Sequence, residues 1–416
     1  MKRTPHFQTV VSCTLVVVTF GAVATACSGS DDHPLSARPY DAADQVAFNA
    51  EEGSSKVNPD RPLEVTAKGD DGRITDVTAV DDKGRFLAGE LSADGTRWLS
   101  TASLGAGVKY TVRVSTEDED GAPGLRTLTF ETSPAKRHLS VEFGPKSGTY
   151  GVGQPVTAEL NRPVKDKKAR TVVERALKVE STPRVTGSWH WVDDKTLHYR
   201  PKDYWPSGAQ VRAVSNLQGL KVADKLYGKA SKPAELTIGD RVEAITDAAA
   251  HTMTFKRNGE VINTMPVTTG KPGFSTRNGT KVVLEKQYYV RMRSSTVGIG
   301  GGESYDLPVY YATRVTWSGE YVHAAPWSAG SHGYANVSHG CVGMSTSNAA
   351  WFFENVRPGD LVTVVNSFGE MMPAFGNGFG EWNMPWDKWQ KGSALIGGTG
   401  DGAGPVDTSR LRPQTV

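Results

Sequence analysis

At 416 residues the chain exceeds what one compact core holds, and at roughly 100–200 residues per domain it divides into two to four, of which we expect three. Gly at 45, Pro at 23 and 38% hydrophobic residues describe a turn-rich, mainly β protein rather than a helical or disordered one. A net charge of +2, from 47 basic and 45 acidic side chains spread along the chain, leaves no basic stripe and excludes nucleic acid as the partner.

Lys2 and Arg3 precede an apolar run from Val10 to Ala26, which reads as an export signal over 1–26. As a helix that run rises about 26 Å, short of the roughly 30 Å hydrocarbon core, so a cleaved signal is favoured over a retained span. The sequence Ala24-Thr25-Ala26-Cys27-Ser28-Gly29 allows two processing fates. It is similar to a bacterial lipobox ending at Cys27, with Ala24 where such sites usually carry Leu, and it is also an A-x-A site for ordinary signal peptidase. Lipidation gives Cys27 a role and anchors the body at the outer face of the cytoplasmic membrane. Cys13 lies inside the signal run and Cys27 at its end, which leaves Cys341 alone in the mature body with no partner there for a disulfide. A free thiol in an oxidising compartment calls for a chemical reason, with a buried, inert Cys as the competing reading.

The segment 27–45 is polar, carries Pro and Gly, and reads as a flexible tether. From 46 to 137 short alternating runs (Leu63 to Thr66, Ile74 to Val80, Tyr110 to Val114, Leu125 to Phe130) are parted by the turns Asp81-Asp82-Lys83-Gly84 and Asp94-Gly95. This pattern predicts a small immunoglobulin-like β-sandwich. A second such module is expected over 138–239, with runs at Leu139 to Phe143, Val156 to Leu160, Leu177 to Glu180, Trp189 to Trp191, Leu197 to Arg200, Gln210 to Val214 and Leu236 to Ile238. Neither module holds a titratable cluster, and both read as spacers; Trp98, Trp189, Trp191 and Trp205 go to sandwich cores rather than to sugar stacking.

A third domain is expected over 240–392. Its strands are Met253 to Phe255, Val261 to Val267, Lys281 to Leu284, Val309 to Tyr311, Val315 to Trp317 and Leu361 to Val365, with an Asn258-Gly259 hairpin turn. One short helix starts at Ser345 or Thr346 and ends before Pro358-Gly359. Trp382, Trp386 and Trp389 mark a C-terminal segment docked on the body, and 393–416 reads as a disordered tail.

The chemistry concentrates in His323-Ala324-Ala325-Pro326-Trp327 and Val337-Ser338-His339-Gly340-Cys341-Val342-Gly343. A free thiol with a pKa near 8.5 is only a few per cent ionised at neutral pH, so it needs an imidazole beside it. His323, 18 residues before Cys341, can return from a neighbouring strand. Gly340 leaves backbone N–H groups open to an oxyanion, and the helix expected after Cys341 is placed to lower the thiol pKa. Three readings remain open on these residues: a zinc site on His323, His332, His339 and Cys341, which lacks any Cys-x-x-Cys or His-x-x-x-His spacing; a cysteine peptidase that hydrolyses its acyl-enzyme with water; and a non-catalytic binding protein.

The Ser338-His339-Gly340-Cys341 segment resembles the S-H-G-C motif of the L,D-transpeptidase catalytic domain (YkuD type). Two immunoglobulin-like modules ahead of it and the Trp-rich segment Glu381 to Trp386 resemble the mycobacterial members of that family. The resemblance implies Cys341 as nucleophile and His323 as base, with the Ala324 carbonyl orienting the ring. It implies Tyr305 and Gly340 in the oxyanion hole and His339 shaping the catalytic turn, and it puts Ala324, Trp327, Ser338 and Gly343 on the substrate side. At Gly343 the family often carries Asn or Arg, so that contact differs here. No cofactor or metal is implied; the partners implied are peptidoglycan stem peptides, joined 3→3 after release of a terminal D-Ala, and carbapenems as inhibitors. A cell-wall L,D-carboxypeptidase would use the same dyad.

Overall fold

The computed structural model describes residues 38–69 and 72–396, so the export segment, Cys13, Cys27 and the chain from 397 lie outside the described residues. Along Lys109–Asp118 the residues Tyr110, Val112, Val114 and Thr116 turn inward, the period of two that a strand with one wet face requires. Tyr40–Asp41, Pro123–Glu131, Lys109–Asp118 and Gly72–Asp81 make one sheet; Val46–Phe48, Glu64–Ala67, Arg97–Ser100 and Gly89–Leu91 make the other. The two close over Leu63, Val65, Trp98, Leu128 and Phe130. This first sandwich reaches into the segment expected as a tether, since Tyr40–Asp41 pairs with Pro123–Glu131 and Ala42 is fully buried.

The second sandwich sets Val141–Gly144, Val156–Leu160, Thr196–Pro201 and Gly187–Trp191 against Gly148–Tyr150, Ala234–Ile238, Gln210–Ser215 and Leu177–Thr182. Trp189, Trp191 and Trp205 lie in its core. A helix that the strand pattern did not reveal, Lys167–Ala176, crosses from one sheet to the other. The Asp166 side chain caps it, accepting the Ala169 N–H at 2.8 Å. Arg137–Leu139 pairs with Leu226–Gly228, so a boundary drawn between 137 and 138 falls inside a strand.

The remaining chain builds a five-stranded sheet in the order Glu260–Pro266, Thr252–Arg257, Val242–Asp247, Leu361–Val365, Gly279–Val282. A four-stranded sheet follows in the order Glu285–Arg293, Asp306–Arg314, Tyr321–Ala324, Val342–Met344. Helix Thr346–Asn355, capped by the Ser345 hydroxyl at 3.2 Å from the Asn348 N–H, buries Ala349 and Phe352 in a core shared with Phe255, Val322 and Met344. Val315–Trp317 is not the strand its residues suggest. It enters a turn in which Val315 N–H donates to the Glu320 carbonyl at 3.0 Å and Gly319 takes a φ of +100°. Tyr321–Ala324 is the strand instead.

This third unit is fastened to the second sandwich. Gly151 and Gly153 donate main-chain bonds to Pro358 and Gly359 at 2.9 Å each. A Cβ on Gly151 would stand 2.2 Å from the Asp360 carboxylate, so only glycine allows that approach. The Trp-rich segment completes the joint. Trp389 is fully buried and gives its Nε1–H to the Ser188 carbonyl at 3.0 Å. The Arg200 guanidinium lies 4.8 to 5.3 Å from the ring centres of Trp382, Trp386 and Trp389. Ser393 and Ala394 are bonded to Glu174 of the helix Lys167–Ala176, so the docked chain continues past residue 392, into what the sequence assigned to a loose tail.

Candidate active site

Tyr321–Ala324 and Val342–Met344 run parallel with His323 opposite Gly343. Cys341 precedes Gly343 by two positions and therefore shares the face of His323; strand spacing puts the two Cα atoms roughly 8 Å apart. The 18-residue separation is thus the connection that a parallel pair requires. Both side chains line one cavity of about 260 Å³, walled by Met292, Leu307, Val309 and Val337.

The His323 ring is buried, and its Nδ1 lies 2.8 Å from the Ala324 carbonyl. Nδ1 therefore carries the proton and Nε2 the free lone pair. Burial lowers the His323 pKa to about 4, with His332 adding a smaller push in the same direction. Burial likewise raises the Cys341 thiol to about 12; the Tyr321 main-chain amide draws it down and the Glu320 charge pushes it up further. Burial thus favours the neutral form of both the thiol and the imidazole over an ion pair. Consistent with this, Sγ–H donates to the Gly319 carbonyl at 3.6 Å. The helix expected to acidify the thiol does not reach it. The strand Val342–Met344 comes first, and the helix begins only at Thr346.

Tyr305 lines the cavity, and burial together with Cys341 raises its hydroxyl pKa, which keeps it a proton donor. Gly340 plays a different part from the one read in sequence. Its N–H already donates to Ser338 Oγ at 3.1 Å, and a Cβ there would meet nothing closer than 3.7 Å. What demands glycine is its φ of +117°. The Cys341 N–H, by contrast, donates to no acceptor among the described residues. Ser338 locks the turn by giving its hydroxyl to the Cys341 carbonyl at 2.6 Å.

His339 lines the same cavity, with its Nε2 turned to a carboxylate rather than to the sulfur. Its Nε2 lies 2.7 Å from Glu303, which also takes Lys271 at 2.5 Å, and its ring packs on Tyr305 at 5.1 Å and Phe274 at 4.8 Å. Trp327, half exposed, stacks over His323 at 5.9 Å. Gly343 exchanges main-chain bonds with Thr268 at 2.9 Å, and a Cβ there would stand 2.9 Å from Ala325. Ala325 and Thr268 fill the space a side chain would take, so no larger residue fits at Gly343 without movement. His332 turns to the Ser328 hydroxyl at 3.3 Å. Sequence reasoning missed Lys271, Glu303, Gly319 and Glu320, which arrive from distant segments and share no spacing with the motif.

Residues 54–221 match the family described as a bacterial Ig domain, one profile running across both sandwiches, and residues 241–364 match the L,D-transpeptidase catalytic domain. L,D-transpeptidase 2 of Mycobacterium tuberculosis (strain CDC 1551 / Oshkosh) is 38% identical over 354 residues, covering 84% of this chain and 85% of the relative. L,D-transpeptidase 5 of Mycobacterium tuberculosis (strain ATCC 25618 / H37Rv) is 30% identical over 408 residues, covering 95% of this chain and 88% of the relative. A solved LD transpeptidase in complex with imipenem is 38% identical, covers 54% of this chain and 99% of its own, and superposes with a TM-score of 0.48.

Proposed function

The chain belongs to the L,D-transpeptidase family, and from that premise we propose that Cys341 and His323 carry out acyl transfer between peptidoglycan stem peptides. The observation that carries the reading is the His323 lone pair, held by Ala324 on the cavity wall that also presents Cys341.

The reaction begins when the thiol turns from the Gly319 carbonyl toward the cavity. Sγ attacks the carbonyl of the stem's third residue while its proton passes to His323 Nε2, and the resulting oxyanion is held by Tyr305 Oη–H and the Cys341 N–H. Collapse breaks the bond to the terminal D-Ala, whose amine leaves with the proton from Nε2, and a thioester remains. A side-chain amine of a second stem attacks that thioester, gives its proton to Nε2, and Cys341 departs as thiol, leaving a 3→3 cross-link. The walls of Met292, Leu307 and Val309 keep the thioester dry, which favours amine over water as acceptor. Carbapenems would acylate the same sulfur through their strained carbonyl. Export by residues 1–26, lipidation at Cys27 and the spacer role of the two sandwiches complete the reading and rest on sequence. No helix among the described residues is long and apolar enough to cross a membrane.

Intact-mass spectrometry with a carbapenem tests the assignment. A single adduct is expected on the wild-type chain and none on Cys341→Ala; an adduct that persists in that variant would place the nucleophile elsewhere.

A further inference from the structure

Behind the catalytic turn three charged side chains meet. Lys281 is fully buried, donates to the Arg277 carbonyl, and lies 3.6 Å from Glu320 Oε2. Glu320, 6% exposed, accepts on Oε1 from both the main-chain N–H and the Nη1–H of Arg277, at 3.1 Å each. Both sequence neighbours of Glu320 touch the sulfur. Gly319 offers its carbonyl at 3.6 Å and Tyr321 offers its amide. Thr276, beside Arg277, gives its hydroxyl to the Gly340 carbonyl at 2.9 Å. The segment Thr276 to Lys281 therefore grips the sulfur's surroundings from two sides, at Gly340 and at Glu320.

We propose that Glu320, clasped by Arg277 and Lys281, is a positioning residue for Cys341: it fixes the Gly319 carbonyl against the sulfur and keeps the nucleophile a thiol until His323 takes the proton during attack. The inference rests on Cys341 being the reacting group. Its physical basis is a carboxylate in a poorly solvated site, where a nearby negative charge opposes a second one and is weakly screened. The charged groups facing Glu320 are Arg277, from the segment ahead of strand Gly279–Val282, and Lys281 on that strand. Their two cations limit the effect without removing it. A protonated sulfur resists oxidation better than a thiolate, which suits a lone thiol in an exported protein.

The test is alkylation of the full chain by iodoacetamide between pH 6 and 10.5, read on the peptide that contains Cys341. Glu320→Gln keeps an acceptor for Arg277 and removes the charge. Its alkylation at pH 8 should be about tenfold faster than wild type, the gain in thiolate that one unit of added acidity gives. Arg277→Gln, at a side chain 36% exposed, removes a cation without opening a buried hole and should slow alkylation. Should Glu320→Gln not fold, Arg277→Gln decides alone. An unchanged profile in the folded variants, or a shift of opposite sign in either, overturns the proposal. Alkylation needs no turnover, so an error in the assigned reaction would appear separately, as a missing carbapenem adduct.

Discussion

Two buried glutamates of this chain are treated differently by their surroundings. Glu174, on the helix Lys167–Ala176, has both oxygens satisfied: Trp191 Nε1–H at 3.0 Å, Ala394 N–H at 2.7 Å and the Ser393 hydroxyl all donate to it. Glu320, behind the catalytic turn, has Arg277 hydrogen-bonded to one oxygen, while the other faces the Lys281 ammonium at 3.6 Å without a hydrogen bond. A fully satisfied buried group fastens structure, whereas a half-satisfied one leaves its field on its neighbours. The joint between the second sandwich and the C-terminal segment spends its polar groups on attachment. The turn around Cys341 spends them on the protonation state and aim of one sulfur.

If that division holds, damage on one side should not cross to the other. His323→Ala should slow carbapenem acylation on the order of 10³, the usual weight of a general base, while intrinsic tryptophan fluorescence shows the C-terminal segment still docked. Trp389→Ala should do the reverse. Removing a fully buried indole costs about 3–5 kcal/mol, so the thermal transition of the joint falls while the acylation rate stays at the wild-type value. A smaller effect is expected at Gly340, where alanine meets no neighbour within 3.7 Å but inherits a φ of +117°. Gly340→Ala should lose about 1–3 kcal/mol through backbone strain, visible as a slower acylation with little change in the melting of the joint. Coupled losses in both readouts for any of these would mean that the two regions form one unit.

The placing of Cys341 and His323 on one cavity was legible because a single thiol lies beyond Cys27 and one histidine stands at a separation that a parallel crossover fits. Turn chemistry was also legible, as at Asn258 and Gly259, whose φ values of 51° and 90° are those of the expected hairpin. Tyr321–Ala324 escaped notice because all four residues are buried and such a strand shows no alternation. The helix Lys167–Ala176 was hidden between strands, its cap the single Asp166. The neutral state of the dyad could not be read at all, for burial, the Gly319 carbonyl and Glu320 act through space and leave no mark in spacing. The same holds for Gly340, whose amide proved to be committed to Ser338.

The central claim is that a neutral, desolvated His323 removes a proton from a neutral thiol during attack. The pH dependence of wild-type carbapenem acylation tests it most directly. Because protonation of Nε2 abolishes the base, the rate should fall as pH drops through about 4, the value to which burial lowers His323, and should be level from there into the neutral range. An acid limb centred at or above the ordinary histidine value, near 6.5, would contradict the account.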